Sequence, residues 1–144
     1  MQKDLFLKLI DTDRLIFGIS EVCKVAGVTP RQLRYWEQKG YIKARELDGN
    51  KAREYDAQTM IKAIFIKHFL DEGYTLGVAV QKIQKHMDNM KVVRSIIREH
   101  FEGIEEIDGE MAVNLGYFDE TKQQILYAIV KGGHSTFKLM PADK

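Results

Sequence analysis

The stretch VTPRQLRYWEQKGYI, residues 28–42, gathers side chains that bind anions and read bases. Arg31 and Arg34 carry planar guanidiniums that bond guanine edges or phosphates in bidentate fashion, and Gln32 carries an amide that suits adenine. The Tyr35 hydroxyl is a phosphate donor, and so are backbone amides at a helix N-terminus. If the stretch is helical, Leu33 and Trp36 fall on one side at a spacing of three. Arg31, Arg34, Tyr35 and Gln38 then fall on another, at offsets of three, four and seven. One helix therefore buries an apolar pair while holding out two guanidiniums, a phenol and an amide. On its own this also describes an ordinary solvated helix.

The elements that must position these groups are marked just upstream. Thr29, Pro30 and Gln32 form a capping box with proline at the first helical position, so the spacing predicts a helix starting at residue 30. Before it, ISEVCKVA reads as a short helix with Ser20 as N-cap and Gly27 as terminator. Two short helices joined at a glycine make a helix-turn-helix, whose second helix presents its N-terminal residues to the DNA major groove. Residues 41–55 lose the helical period, and Asp48-Gly49-Asn50 reads as the turn of a hairpin between two short strands. That hairpin supplies Lys43, Arg45, Lys51 and Arg53, with Tyr55 at its exit. A basic hairpin beside a helix-turn-helix is a winged helix, and this second basic element favours nucleic-acid binding over a solvated surface.

Residues 18–86 resemble the DNA-binding domain of the MerR family of bacterial transcription regulators. The resemblance rests on ISEVCKVAGV, then TPRQLRYWEQKGYI, then GNKAREYD. The resemblance implies a homodimer on an inverted-repeat operator in double-stranded DNA, with the promoter spacer bent or untwisted. Arg31, Gln32, Arg34 and Tyr35 would then act from the recognition helix, and Arg53 and Tyr55 from the wing; Thr29, Lys43, Arg45 and Lys51 join them as DNA-binding candidates on the reading of the residues alone. RNA polymerase at the promoter and a small-molecule effector are further candidate partners.

Around this domain, residues 1–17 read as a helical extension with Leu5, Phe6, Leu9 and Ile10 on one face. Asp56 caps a helix closed by Gly73, and Thr75 opens another. A further helix is expected over 88–106, with Val92, Val93, Ile96, Ile97, Phe101 and Ile104 apolar. Residues 110–140, rich in β-branched and aromatic types, suggest two or three antiparallel strands with turns at Asp119-Glu120-Thr121 and Gly132-Gly133. The expected fold is mainly α with small β: a winged helix-turn-helix, then a helix and a short antiparallel β segment. The expected domains are an extension at 1–17, a DNA-binding domain at 18–86, and a dimerisation helix with a small β region at 87–144. Dimer contacts are expected from Leu5, Phe6, Leu9 and Ile10, or from Val93, Ile97, Phe101 and Ile104.

Composition limits the alternatives. The 144 residues carry a net charge of +1, with 44% hydrophobic and 30% charged residues, as in a soluble globular protein. Residues 1–86 hold 15 Lys and Arg against 11 Asp and Glu, whereas 87–144 hold 7 against 10, so a polyanion partner belongs to the first part. No signal-peptide pattern or membrane-length apolar run is seen, and the cytoplasm is the expected compartment. The lone Cys23 rules out an intramolecular disulfide, and its place in the first helix of the pair suits a packing residue. Four scattered histidines show no ligand spacing, so neither metal nor cofactor is expected. No glycine-rich phosphate loop, nucleophile motif or supported carboxylate pair argues for an enzyme. The competing function is an architectural DNA-binding module whose C-terminal region recruits a protein partner.

Overall fold

The computed structural model describes residues 2–12, 14–45 and 52–142. Its elements run α1 (Gln2–Ile10), β1 (Ile16–Gly18), α2 (Ile19–Ala26), α3 (Pro30–Gln38), β2 (Glu54–Asp56), α4 (Ala57–Asp71) and α5 (Leu76–His100). They continue with β3 (Gly103–Ile107), β4 (Glu110–Tyr117), β5 (Gln124–Lys131) and β6 (His134–Pro141). Two compact units result: one spans Asp11–Asn89, and the other joins α1 to the chain from Met90 onward.

In the first unit, α2, α3, α4 and the start of α5 enclose a core of Val22, Val28, Leu33, Trp36, Ile42, Tyr55, Ala63, Ile66, Ala79 and Ile83. Leu33 is 0% exposed and Trp36 2%, so the apolar side expected of α3 is the buried one. Burying each stabilises the unit by about 1.5–3 kcal/mol relative to leaving it in water. The caps follow sequence logic in most places. Thr29 Oγ1 accepts from the Gln32 N–H at 3.1 Å, and Gln32 Oε1 accepts from the Thr29 N–H at 2.9 Å. Gly27 ends α2 at φ +73°, where a Cβ would strain the backbone, and Asp56 caps α4 by accepting from the Thr59 N–H at 2.8 Å. Ser20 is not a cap: α2 begins at Ile19, with Gly18 as N-cap and no side-chain bond to it.

The expected hairpin over 41–55 is described only at its two ends. Among the described residues there, only Glu54–Asp56 is a strand, and its partner is β1, with Phe17 opposite Tyr55. Residues 41–45 have no strand conformation, and Arg45 alone bonds across, its N–H donating to the Glu54 carbonyl at 2.9 Å. The turn at Asp48-Gly49-Asn50 and the basic Lys51 lie outside the described residues. The helical extension likewise stops at Ile10, because Ile16 and Phe17 are drawn into β1 by the open edge of β2.

The expected helices after Thr75 and over 88–106 are one helix that ends at His100. Beyond it, Ile104 and Ile107 belong to β3, paired antiparallel to β4 with Ile104 opposite Val113. Ile104 is therefore a strand residue, and Phe101 lies in the link, its ring 5.7 Å from Phe6 and edge-on to it. The tail forms a four-stranded antiparallel sheet in the order β3-β4-β5-β6, with both expected turns in place.

Candidate nucleic-acid interface

The capping box fixes where α3 begins, and the buried pair Leu33 and Trp36 fixes its rotation. Arg31, Arg34, Tyr35 and Gln38 consequently project together and, with Pro30, line an open concavity of about 570 Å³. Tyr35 is 47% exposed, and the Lys39 ammonium sits 5.6 Å from its ring centroid, adding a cation to the rim. Among the described residues, no ion pair engages Arg31, Arg34 or Lys43. Thr29 and Gln32 lie exposed at the head of the helix, with Thr29 Oγ1 and Gln32 Oε1 committed to the cap.

The described residues expected in the wing are placed differently from one another. Lys43 is exposed, while its carbonyl accepts from the Thr59 hydroxyl at 3.3 Å and ties this segment to α4. Arg45 pairs with Glu54 at 3.3 Å, and Arg53 pairs with Glu37 at 3.2 Å while its side chain stays 56% exposed. Tyr55 is the correction here: it is 0% exposed and belongs to the core, so its ring offers nothing to a ligand. A strand residue opposite Phe17 turns inward, and the Tyr55 hydroxyl donates to Glu37 Oε1 at 3.5 Å. Burial pushes its pKa up to about 12, reinforced by the Glu37 carboxylate and opposed by Arg53.

Sequence reasoning assigned no role to Glu37, which binds both Arg53 and Tyr55 from α3. Its signal was legible: it is the one acid in a helix otherwise basic or neutral. Cys23 is buried as a packing residue, and burial raises its thiol pKa. Of the residues expected at a dimer contact, Leu5, Leu9, Ile10, Val93 and Ile97 are exposed, while Phe6 and Phe101 pack edge-on against each other. Among the described residues, no cluster of three His, Cys, Asp or Glu could hold a metal ion, and no helix is long and apolar enough to cross a membrane.

A family model for MerR HTH family regulatory proteins matches residues 17–89. The chain is 29% identical over 87 residues, 60% of its length, to Nodulation protein NolA of Bradyrhizobium sp. (strain NC92). It matches the protein of the same name from Bradyrhizobium elkanii at 29% identity over 87 residues. The matched region spans only 35% and 38% of those two proteins. A solved transcriptional regulator of the MerR family from Bacillus cereus aligns with 58% of this chain and 67% of its own, at 24% identity and a TM-score of 0.44.

Proposed function

The chain belongs to the MerR HTH family of regulatory proteins, and we propose that it binds an inverted-repeat promoter operator as a homodimer. In this reading α3 enters the major groove and Arg31, Arg34, Tyr35 and Gln38 meet base edges and phosphates. Thr29, Gln32 and the α3 N-terminus approach the backbone, with Lys43, Arg45 and Arg53 on flanking phosphates. The observation that carries the reading is the division of α3: Leu33 and Trp36 are locked in the core, while two guanidiniums and a phenol project opposite. A helix held that firmly presents its outer side chains in one register, which base reading requires and a merely solvated helix does not.

Regulation follows from where the dimer sits. A site between promoter elements with an overlong spacer suits activation by bending or untwisting, whereas a site covering an element suits repression. The energetic logic is that contacts on both half-sites offset the cost of deforming the DNA between them. RNA polymerase at that promoter and a small-molecule effector belong to the same proposal, which assigns no catalytic step. The DNA-binding domain of this proposal is 18–86, with 87–144 serving dimerisation.

The test is fluorescence anisotropy with the DNA upstream of the protein's own gene. Wild type is expected to bind it in preference to scrambled DNA. Arg34→Ala is expected to weaken that binding by roughly tenfold to a hundredfold, the worth of one good base contact. Affinity should fall steeply with salt as phosphate-bound counterions are released. Equal binding of specific and scrambled DNA, or an Arg34→Ala variant indistinguishable from wild type, would sink the reading.

A further inference from the structure

The region beyond the family match poses a packing problem that the chain does not solve alone. In the unit formed by α1 and the chain from Met90, the described residues include only two buried hydrophobics, Ala112 and Tyr127. Fourteen large hydrophobic side chains of the same unit stand between 39% and 73% exposed. A folded unit of this size normally buries most of such residues.

The sheet shows where part of that surface lies. Cross-strand partners share a face, as do residues two apart on a strand. Phe137 opposes Ala128, which opposes Val113; Leu139 opposes Leu126, and Val130 opposes Met111. These residues therefore form one continuous apolar face across β4, β5 and β6. Phe137 is 73% exposed at its edge, Met111 54%, and Val130 and Leu139 40% each. The opposite face carries the buried Ala112 and Tyr127 and the polar bonds that join Glu105, Asn114 and Tyr127. That opposite face also carries the part-buried Ile107, Ile125, Ile129 and Met140, so the sheet covers one face more fully and leaves the Phe137 face open.

We infer that the apolar sheet face of β4, β5 and β6 is a dimer interface that a second copy of this chain covers. The inference rests on the homodimer reading above and locates part of that dimer's contact. Area supports it: at on the order of 80 Å² each, the sheet residues Met111, Val130, Phe137 and Leu139 together with Val92, Val93, Ile96 and Ile97 of α5 present roughly 600 Å², the lower end of one partner's share of a stable interface. The exposed stripe of Val92, Val93, Ile96 and Ile97 on α5 provides roughly half of that, so the sheet is needed to reach it.

Other occupants fit less well. A transient protein partner would leave this unit without a core between encounters, whereas a second copy is present whenever the chain is. An open sheet face lacks the concavity that encloses a small ligand. Nucleic acid is disfavoured because these strands present no cation on that face, and Glu106, opposite Met111, adds a negative charge at its margin. With so few charges, two copies meet on this face without like-charge repulsion.

The test uses the full chain in sedimentation velocity and thiol labelling. Wild type is expected to be a dimer at micromolar concentration, and Phe137→Glu is expected to raise the dimer dissociation constant at least a hundredfold. In a Cys23→Ala background, Phe137→Cys is expected to react with a maleimide at least tenfold more slowly as concentration rises through dimerisation. That second variant leaves the fold undisturbed, since residue 137 projects from the single chain. A wild-type dimer that Phe137→Glu leaves intact, or labelling that is fast at every concentration, overturns the inference. If Ile96→Glu alone dissociates the dimer, the homodimer stands and the sheet face is wrong. A wild type that stays monomeric overturns both.

Discussion

The Tyr55 hydroxyl lies out of water beside the Glu37 carboxylate, and both conditions disfavour its ionised form. Its pKa is raised from 10.0 to about 12. Between those values the folded chain keeps a proton that the unfolded chain has lost, so stability falls as pH rises. The contribution is fully present below pH 10 and is lost by the time pH passes about 12. Each tenfold difference in proton affinity between the folded and unfolded chain is worth roughly 1.4 kcal/mol. Urea melts of wild type and Tyr55→Phe across this range should diverge, the phenylalanine variant losing less stability as other groups titrate in both. Parallel declines would remove Tyr55 from the account. The same variant should bind DNA within about twofold of wild type, because a core ring has no wing contact to lose. From sequence, Tyr55 is a tyrosine leaving a basic hairpin; only its pairing opposite Phe17 shows which way it turns.

Between elements, the Glu37 carboxylate joins α3 to Arg53 and to Tyr55 of β2. It holds Arg53 at 3.2 Å and accepts from Tyr55 at 3.5 Å, with its own side chain 17% exposed. So placed, it aims the Arg53 guanidinium and offsets its charge until a phosphate competes. Glu37→Gln should then release Arg53, raise affinity for scrambled DNA, and steepen the slope of log K against log salt by up to about one. Preference for the operator should drop, since the freed arginine no longer selects one register. Anisotropy titrations at four salt concentrations measure both quantities, and unchanged slope and preference would leave Glu37 a packing residue only. Elements whose signals are local were legible: the Thr29 capping box, the Gly27 terminator and the burial of Leu33 and Trp36 all act within one turn. The β1–β2 pairing was not, because its partners lie some forty residues apart and neither three-residue strand has a period of its own. The same holds for β3: Ile104 to Ile107 continues a helical spacing after α5, and only pairing with β4 turns it into a strand.

For the whole molecule, in the proposed homodimer, two-fold symmetry determines how tightly DNA is held. A dimer engaging one half-site brings its second recognition helix to an effective concentration near the millimolar range, so the full repeat gains without any new kind of contact. Binding to the complete inverted repeat should exceed binding to a single half-site by roughly a hundredfold or more. The gain depends on spacing, since about five inserted base pairs rotate one half-site to the opposite side of the duplex. It also depends on the dimer surviving, so Phe137→Glu should retain half-site affinity while losing most of the advantage on the full repeat. That separation matters because residue 137 is remote in sequence from α3, outside the matched region 17–89. Titrations of both proteins on half, full and respaced sites decide the matter. If Phe137→Glu keeps the full advantage, the two recognition helices are yoked by some surface other than the sheet. If wild type binds half and full sites alike, they are not yoked at all.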